Sequence, residues 1–560
     1  MNIEHVEKSY QELESDSTLQ NLIAQANARY ILYNTEESKE NFPRYTIKDE
    51  QLNILAFKYL NIGCNYFSEH NYLKASHSLE KGALILEYIH GSIHIQTKNK
   101  KLFCLISALS YYVCFQYSKA FILIGKLESD TMISSLVSLF LNRKFDQLLS
   151  EIDKLITNSS YGDEYLAEHF EEDNATKIYE IIIAKSLNYY VQFYQTGNKD
   201  FLEIAKKDLV NLQEVAAMRG EPDVWWVIRL LLLIIDGFKE SSLWYVLGNY
   251  FNTEDKLPLK YIQSLVYKNG SITELFLTQR NSLPKVLNNK QGSIVSIPTS
   301  SGKTRIGEIA ILNCLLNEPK AKILFIAPYR SLAYEIENSF DEIFSNLDVS
   351  VSHLYGGSLF SKLDERIIDE SSVIVATPEK AKALFRSNED ILSCIKLVII
   401  DEGHLLGTDK RLIVNEMFYE ELKYHVKANG GRFLLLSAVL PNAEDLSEWL
   451  TDSTDNVYKE NWRPSDERIG IMEWNGVSVN LNWKSTDAER NSFNPNFIMR
   501  QKLPKKPKER IMHYFPENKN QAIASTAYKL RKFGPVLIFV GIKKSVFAIA
   551  REYEDRKSVV

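Results

Sequence analysis

The stretch from Ile297 to Thr304 constrains the fold of this chain more than any other, because it reads Ile-Pro-Thr-Ser-Ser-Gly-Lys-Thr. The apolar run Ser293–Ile297 predicts a buried strand, and residues 305–312 have the apolar spacing of a helix. A strand, a turn of small residues ending in Gly-Lys-Thr, and a helix together are typical of a phosphate-binding P-loop. The candidate phosphate-binding residues are Pro298, Thr299, Ser300, Ser301, Gly302, Lys303 and Thr304.

Two side chains of this stretch carry specific chemistry. Lys303 would reach the β- and γ-phosphates of a nucleotide, and the Thr304 hydroxyl would bind Mg²⁺. One position departs from the pattern, since Ile297 stands where the first glycine is expected. The alternative interpretation is an ordinary polar turn between a strand and a helix, and the residues further along the chain distinguish the two.

Composition limits the class of protein. A chain of 560 residues is too long for one core, so several domains are expected. The net charge of −6 gives no overall attraction to nucleic acid, so any such binding needs a local groove. Five scattered cysteines without a Cys-x-x-Cys motif indicate reduced thiols and a cytoplasmic protein. The most apolar run, 224–235, is too short to cross a membrane and contains Arg229, so no membrane partner is expected.

The front half predicts helices, with a helix-and-loop segment over 1–50 and a helical region over 51–255. Residues 63–75 align with 108–120, with a small residue, two tyrosines and an alanine at the same offsets. This repetition resembles the tetratricopeptide helical hairpin, and Phe145 with Leu148 indicates a weaker third unit. A solenoid of this kind would offer a groove to a protein partner. The alternative is an irregular helical bundle with tyrosines in its core.

From about Leu259 short β-rich runs alternate with helical stretches, which predicts a parallel sheet with helices on both faces. This α/β domain is assigned to residues 256–455. Functional residues in such sheets gather at the carboxyl ends of the strands. The predicted strands are 293–297, 323–327, 349–354, 373–376, 397–400 and 433–436.

Two of these strands end in polar residues. The run 397–400 delivers Asp401 and Glu402, as in a Walker B element, where Asp401 would hold Mg²⁺ and Glu402 would orient the attacking water. The run 433–436 delivers Ser437 and Ala438. An Asp-Glu pair is common on solvated loops, but its place after a P-loop and at a strand end favours a catalytic role.

In this order the motifs resemble those of superfamily 2 helicases with DExH chemistry, the Ski2-like branch in particular. The resemblance covers about 274–550 and implies a RecA-like domain, ATP and Mg²⁺ as cofactors, and 3′-to-5′ movement on single-stranded or partly duplex nucleic acid. DNA is somewhat favoured over RNA as the partner, although contacts to the sugar-phosphate backbone do not distinguish the two. The resemblance also implies that Gln279 reads adenine and that His404, Ser437 and Ala438 couple hydrolysis to movement. The implied nucleic-acid track consists of Arg330, Gly356, Gly357, Thr377, Pro378 and Glu379.

Three segments follow the sheet. Residues 456–510 predict a small β element, with Trp474 and Trp483 in alternating runs, and a linker rich in lysine and proline. Residues 511–554 resemble the start of a second RecA-like lobe, whose first strand and turn are expected within 534–545, around the apolar run 536–540. Residues 555–560 match the translation of a sequencing adapter. We therefore expect a truncated chain, weakly active or inactive alone, since the motifs that would carry the arginine finger are missing.

Several functions stay open at this level. The helical front half joined to this motor resembles anti-phage defence helicases of the Hachiman kind, whereas DNA repair and RNA processing are the alternatives. A nucleic-acid-triggered ATPase that never unwinds would carry the same motifs. A helical binding scaffold with a silent motor is a further alternative.

Overall fold

The computed structural model describes residues 3–35, 47–90, 100–127, 129, 131–158, 172–352, 362–387, 390–406, 410–438, 440–464, 469–484, 492–503 and 512–557. The chain folds into two compact units. The first contains Met1–Asn142, Leu212–Leu233 and Ser465–Val560, and the second contains Arg143–Asn211 and Ile234–Pro464.

The part of the chain before the sheet is helical, as its apolar spacing predicts. None of the described helices is long and apolar enough to cross a membrane. The helices are α1 (Ile3–Ser15), α2 (Ser17–Thr35), α3 (Ile47–Ser68), α4 (Tyr72–His90), α5 (Lys100–Val113), α6 (Tyr117–Ile124), α7 (Met132–Leu141), α8 (Phe145–Asn158), α9 (Glu172–Thr196), α10 (Asp200–Arg219), α11 (Pro222–Ser241), α12 (Leu243–Gly248), α13 (Lys256–Tyr267) and α14 (Leu277–Leu287).

The repetition seen in the sequence corresponds to a repeated turn. His70 between α3 and α4 and Phe115 between α5 and α6 both have left-handed backbone, with φ of 59° and 65°. At Arg143, between α7 and α8, φ is 55°. In each turn a polar residue and an aromatic residue follow, and the aromatic residue opens the next helix. The tetratricopeptide interpretation stays a prediction.

A small residue has a clear role in the first hairpin. A Cβ atom on Gly63 would lie 2.5 Å from Leu79 Cγ, closer than non-bonded carbon atoms approach. Only glycine therefore allows α3 and α4 to pack as closely as they do. This is the role that the sequence pattern gives to the small residue.

The second unit is built on a six-stranded sheet in the order β3-β2-β4-β5-β1-β6, and all of its strand pairs are parallel. This confirms the predicted α/β fold of the RecA-like type behind a largely helical region. The elements are β1 (Gly292–Ser296), α15 (Lys303–Asn317), β2 (Lys322–Ile326), α16 (Arg330–Phe344), α17 (Lys362–Glu370), β3 (Val373–Ala376), α18 (Pro378–Ser387), α19 (Asp390–Cys394), β4 (Ile395–Ile400), α20 (Lys410–Ala428), β5 (Arg432–Ser437), α21 (Ala443–Thr451) and β6 (Val457–Lys459).

The sheet differs from its prediction at two places. The run 349–354 forms a single bridge from Val351 to Val373, and residues 353 and 354 lie outside the described residues. The edge strand β6 was not predicted, because Val457-Tyr458-Lys459 is too short and too polar to stand out as an apolar run. It pairs with β1 all the same, since Ile294 to Ser296 offer it an open backbone edge.

The small β element predicted from Trp474 and Trp483 is a three-stranded antiparallel sheet in the first unit. Within that unit it contacts α2, where the Asn494 side chain donates to the Ala28 carbonyl at 3.0 Å. The remaining elements are β7 (Ile469–Trp474), β8 (Ser478–Lys484), β9 (Ser492–Met499), β10 (Gln501–Lys502), β11 (Tyr514–Phe515), α22 (Lys519–Leu530) and α23 (Lys543–Lys557).

The strand predicted at 536–540 does not form. Leu537 and Phe539 are 92% and 91% exposed, and within the described residues no strand pairs with this segment. An extended segment counts as a strand only when a neighbour satisfies its backbone groups. The apolar run alone could not supply that neighbour.

Candidate functional site

The loop after β1 and the loop after β4 meet at the carboxyl edge of the sheet. Strand β5 lies between the two strands, so their ends are close in space although they are far apart in sequence. Lys303 Nζ lies 3.7 Å from Glu402 Oε1, and the lysine side chain is 9% exposed. The two side chains on which the sequence interpretation depends therefore converge at one site.

The P-loop backbone bends sharply twice. Ser300 and Gly302 both have left-handed backbone, with φ of 67° and 76°, and helix α15 begins at Lys303 directly after them. Such turns point backbone N–H groups into a concave anion site at the positive end of a helix. Pro298 and Ser301 are buried, Thr299 and Ser300 are exposed, and Gly302 and Thr304 are half-buried.

Gln279 holds this loop from the side. Its Nε2 donates to the Gly302 carbonyl at 3.0 Å, and its Oε1 accepts the Phe276 N–H at 2.8 Å. A Cβ atom on residue 302 would lie 2.1 Å from Gln279 Nε2. Glycine is thus required at this position both for its φ and for the close approach of the amide.

Directly after β4, Glu402 has an uncommon backbone conformation and Asp401 has a raised pKa. Glu402 has left-handed backbone, with φ of 53°, and its N–H donates to Asp401 Oδ1 at 2.9 Å. Asp401 is 8% exposed, and burial raises the pKa of its carboxyl from 3.8 to about 6, despite the bond from the Glu402 N–H. A carboxylate kept in so dry a place has a high affinity for a compensating cation.

Polar side chains lie close to one another from Glu402 to the end of β5. Glu402 Oε2 lies 3.0 Å from His404 Nδ1, and His404 Nδ1 lies 3.4 Å from Ser437 Oγ. The Ala438 carbonyl accepts a hydrogen bond from Ser296 Oγ at 3.3 Å. His404 and Ser437 therefore lie beside Glu402, whereas Ala438 contacts the end of β1.

The site holds a buried cation that the protein leaves without an acceptor. Among the described residues, Lys303 Nζ has no hydrogen-bond partner, and its distance to Glu402 is longer than a hydrogen bond. A buried ammonium group is costly unless an anion compensates it. The residues fit an anionic ligand such as a phosphate.

The acidic residues fit a magnesium ion that the nucleotide helps to hold. Within the described ranges, no three or more His, Cys, Asp or Glu side chains form a group that could hold a metal by themselves. Mg²⁺ in nucleotide sites is bound through one or two protein oxygens together with phosphates and waters. Asp401 and the Thr304 hydroxyl are such oxygens.

The predicted nucleic-acid track lies at the ends of β2 and β3, which are neighbours in the sheet. Arg330 is the first residue of α16, and Thr377 directly precedes Pro378 and Glu379 at the start of α18. Both helix N-termini are suited to backbone phosphates. Gly356 and Gly357 lie outside the described residues.

Two residues around the loop were not predicted to belong to the site. The Trp462 carbonyl accepts from Ser301 Oγ at 3.5 Å, and the Trp462 ring lies 6.0 Å from the Phe276 ring. Glu274, next to the Gln279 segment, is also buried. The Asn-Trp-Arg-Pro sequence at 461–464 is distinctive. It lies about 160 residues after the P-loop in the sequence, so no local pattern predicts that the two are neighbours.

A P-loop and an acidic strand end at one edge of a parallel sheet define a RecA-like domain of the DExH type. Residues 277–446 match the family model of the DEAD/DEAH box helicases. This part of the chain is therefore similar to the DEAD/DEAH box helicases, in agreement with the resemblance to superfamily 2 helicases that its motifs indicate.

Known relatives agree with this assignment. The chain is 40% identical over 558 residues to the Hachiman protein HamB of Bacillus cereus, covering 98% of this chain and 49% of that protein. It is 33% identical over 218 residues to the ATP-dependent DNA helicase Hel308 of Thermococcus kodakarensis, covering 39% of this chain and 18% of that protein. The chain thus spans about half or less of these relatives.

Among solved structures, the helicase MrfA bound to DNA aligns with a TM-score of 0.31 and 19% identity. The alignment covers 36% of this chain and 29% of MrfA.

Proposed function

We propose that this chain carries the ATP-hydrolysing part of a motor that moves on single-stranded DNA. The observation that supports this best is Lys303, buried at the start of α15 without an acceptor and 3.7 Å from Glu402. A terminal phosphate would compensate the ammonium group and bring its phosphorus within reach of a water held by Glu402.

Each residue of the site has a part in this proposal. Lys303 and the amides after Gly302 bind the β- and γ-phosphates, and Gln279 contacts the adenine. Asp401 and Thr304 would hold Mg²⁺, which neutralises phosphate charge when bound. Glu402 orients the attacking water and accepts its proton. When Glu402 takes up that proton, His404 transmits the change in charge to Ser437 and Ala438.

The nucleic-acid part of the proposal uses the neighbouring strand ends. Arg330 and the N-terminus of α18 at Thr377 would hold phosphates of the strand, which fixes its position without reading bases. DNA is proposed as the polymer because Hel308 relatives are named as DNA helicases. The direction of movement implied by the resemblance is 3′ to 5′.

The biological role proposed is defence against phages. It depends on the 40% identity to the Hachiman protein HamB, which extends over nearly the whole of this chain. A protein partner bound by the helical region belongs to the same proposal.

Steady-state ATP turnover with matched DNA and RNA oligonucleotides tests the motor. We expect turnover to rise with single-stranded DNA and less with RNA, and to be absent in Lys303→Ala but retained in the exposed control Lys320→Ala. Absence of turnover above the Lys303→Ala background, together with absence of Mg-ATP binding, would contradict the proposal. A strand-displacement assay on a duplex with a 3′ tail separates a motor, which displaces the strand, from an ATPase switch, which does not.

A further inference from the structure

Glu274 is a buried carboxylate beside the nucleotide site. Its side chain is 0% exposed, and Arg143 Nη2 lies 2.9 Å from its Oε2. The Tyr194 hydroxyl donates to Oε1 and the Thr273 hydroxyl to Oε2. Two of these three donors, Arg143 and Tyr194, come from the helical segment 143–211 of the second unit.

The contact to Glu274 is made from a repeated backbone turn. Arg143 has the left-handed conformation that His70 and Phe115 have in the two earlier hairpin turns. This conformation is uncommon for residues other than glycine. At Arg143 the guanidinium group binds both the Glu274 carboxylate and the Ser271 carbonyl, the latter at 3.1 Å.

Glu274 lies at one end of a short segment that reaches the P-loop. Leu275 N–H donates to the Ser241 carbonyl at 2.8 Å, which fixes the segment on the side of Glu274. Five residues after Glu274, Gln279 donates to the Gly302 carbonyl at 3.0 Å. Arg143, Glu274, Gln279 and Thr304 line one cavity, so the contacts from Arg143 to the P-loop all lie close to one another.

We propose that Glu274 is a positioning residue, through which the helical segment 143–211 sets the strength with which the P-loop holds nucleotide phosphates. The inference rests on the proposed function, because it concerns the same ATP site. Arg143 and Tyr194 fix Glu274, Glu274 fixes the segment that carries Gln279, and Gln279 holds Gly302 in its left-handed conformation. A movement of the helical segment would thereby change the affinity for ATP.

The test measures equilibrium binding of Mg-ATP and of magnesium tripolyphosphate to the full chain, with Glu402→Gln as background to prevent hydrolysis. Tyr194→Phe removes one hydroxyl and adds nothing, and Glu274→Gln removes the charge. We expect each to weaken binding of both ligands by about threefold to thirtyfold. Tyr189→Phe is the matched control, since Tyr189 lies on the same helix with its ring stacked on Phe201, and it should bind normally.

A second measurement separates positioning from general stability. Tyr194→Phe is combined with Gln279→Ala, which removes the contact to Gly302. If Glu274 acts through Gln279, Tyr194→Phe has no further effect on affinity in the combined variant. A purely structural role would lower the melting temperature and leave the two affinity effects additive.

The outcomes distinguish the two proposals. If the background chain binds neither ligand, the proposed function fails, and this inference fails with it. If it binds both and folded Tyr194→Phe binds them equally well, only the positioning role is refuted. Weaker binding of Mg-ATP alone would place the effect at the base and would also refute an action through the P-loop. Should Glu274→Gln fail to fold, Tyr194→Phe decides.

Discussion

Lys81 in the helical unit and Lys303 at the sheet edge have side chains that are almost equally buried, 8% and 9% exposed, but they are compensated differently. Lys81 Nζ lies 2.6 Å from Glu14, which also accepts the Tyr59 hydroxyl at 3.0 Å. Lys303 lies 3.7 Å from Glu402 and has no hydrogen-bond partner among the described residues. The first arrangement stabilises the fold, whereas the second leaves a charge for a ligand.

The pattern in the helical unit is repeated. Two turns of α1 before Glu14, Glu7 accepts from Lys74 and from the Tyr66 hydroxyl, both at 2.6 Å. The Lys74 ammonium group and this hydroxyl lower the pKa of Glu7. Paired charges of this kind contribute to stability and offer nothing to a ligand. The contrast with the sheet edge leads to five predictions.

The largest effect is expected from Glu402→Gln. The amide keeps the shape of the side chain but cannot accept a proton, so ATP turnover should fall by about 10²- to 10⁴-fold. Nucleotide binding should persist. Rapid-quench measurement of phosphate release tests the loss of turnover, and the exposed Glu448→Gln serves as control. Near-normal turnover in Glu402→Gln would show that Glu402 is not the catalytic base.

Asp401→Asn should stabilise the fold while it abolishes Mg²⁺-dependent turnover. Burial raises the pKa of Asp401 from 3.8 to about 6, so at pH 7 the charged form costs about 3 kcal/mol of folding free energy. Asparagine removes that charge and keeps an oxygen for the Glu402 N–H. Denaturant unfolding at pH 7 should give a higher midpoint, and a lower one would show that the carboxylate is not strained.

The same carboxyl predicts a pH window. Because the folded-state pKa is raised, the folded chain binds the proton more tightly than the unfolded chain, and the stability from Asp401 falls as pH rises from about 4 to about 6. The stabilisation by Asp401→Asn should therefore vanish below about pH 4. An equal gain at pH 4 and pH 7 would assign it to packing.

Methionine substitutions compare the two lysines directly. Lys81→Met leaves Glu14 without its ion pair and should lower the free energy of unfolding by about 1–3 kcal/mol, between the values for exposed and buried pairs. Lys303 makes no hydrogen bond among the described residues and faces Glu402 only at 3.7 Å, so Lys303→Met should cost less than Lys81→Met. Equal losses for both variants in urea unfolding would contradict the distinction between a hydrogen-bonded lysine and one without an acceptor.

The smallest effect sharpens the comparison of the repeated hairpins. Tyr66 donates to Glu7 and Tyr111 donates to Glu87, at 2.6 and 3.1 Å. Tyr66→Phe and Tyr111→Phe should each cost about 1 kcal/mol, the value of one hydrogen bond. Thermal unfolding measures both, and a large difference would show that the two hairpins are not equivalent in energy.

Much of the sheet and its site could be predicted because the signals are local. The apolar run before Ile297, the Gly-Lys-Thr turn and the run ending at Asp401 each identify their own strand end. Parallel strands then bring those ends to one edge whatever the loop lengths are. The strands predicted from the apolar runs at 349–354 and 536–540 do not form as predicted. A strand needs a neighbouring strand to pair with, and a local pattern does not show whether one is present.

The sequence by itself indicated the class of domain, the order of its motifs and the candidate residues of its site, because these depend on residue type and short spacing. Only the tertiary structure decided which charges are compensated. It paired Lys81 with Glu14, left Lys303 without an acceptor, and brought Arg143 from the helical segment to Glu274. Burial and partner choice are set by residues distant along the chain, so no local pattern reports them.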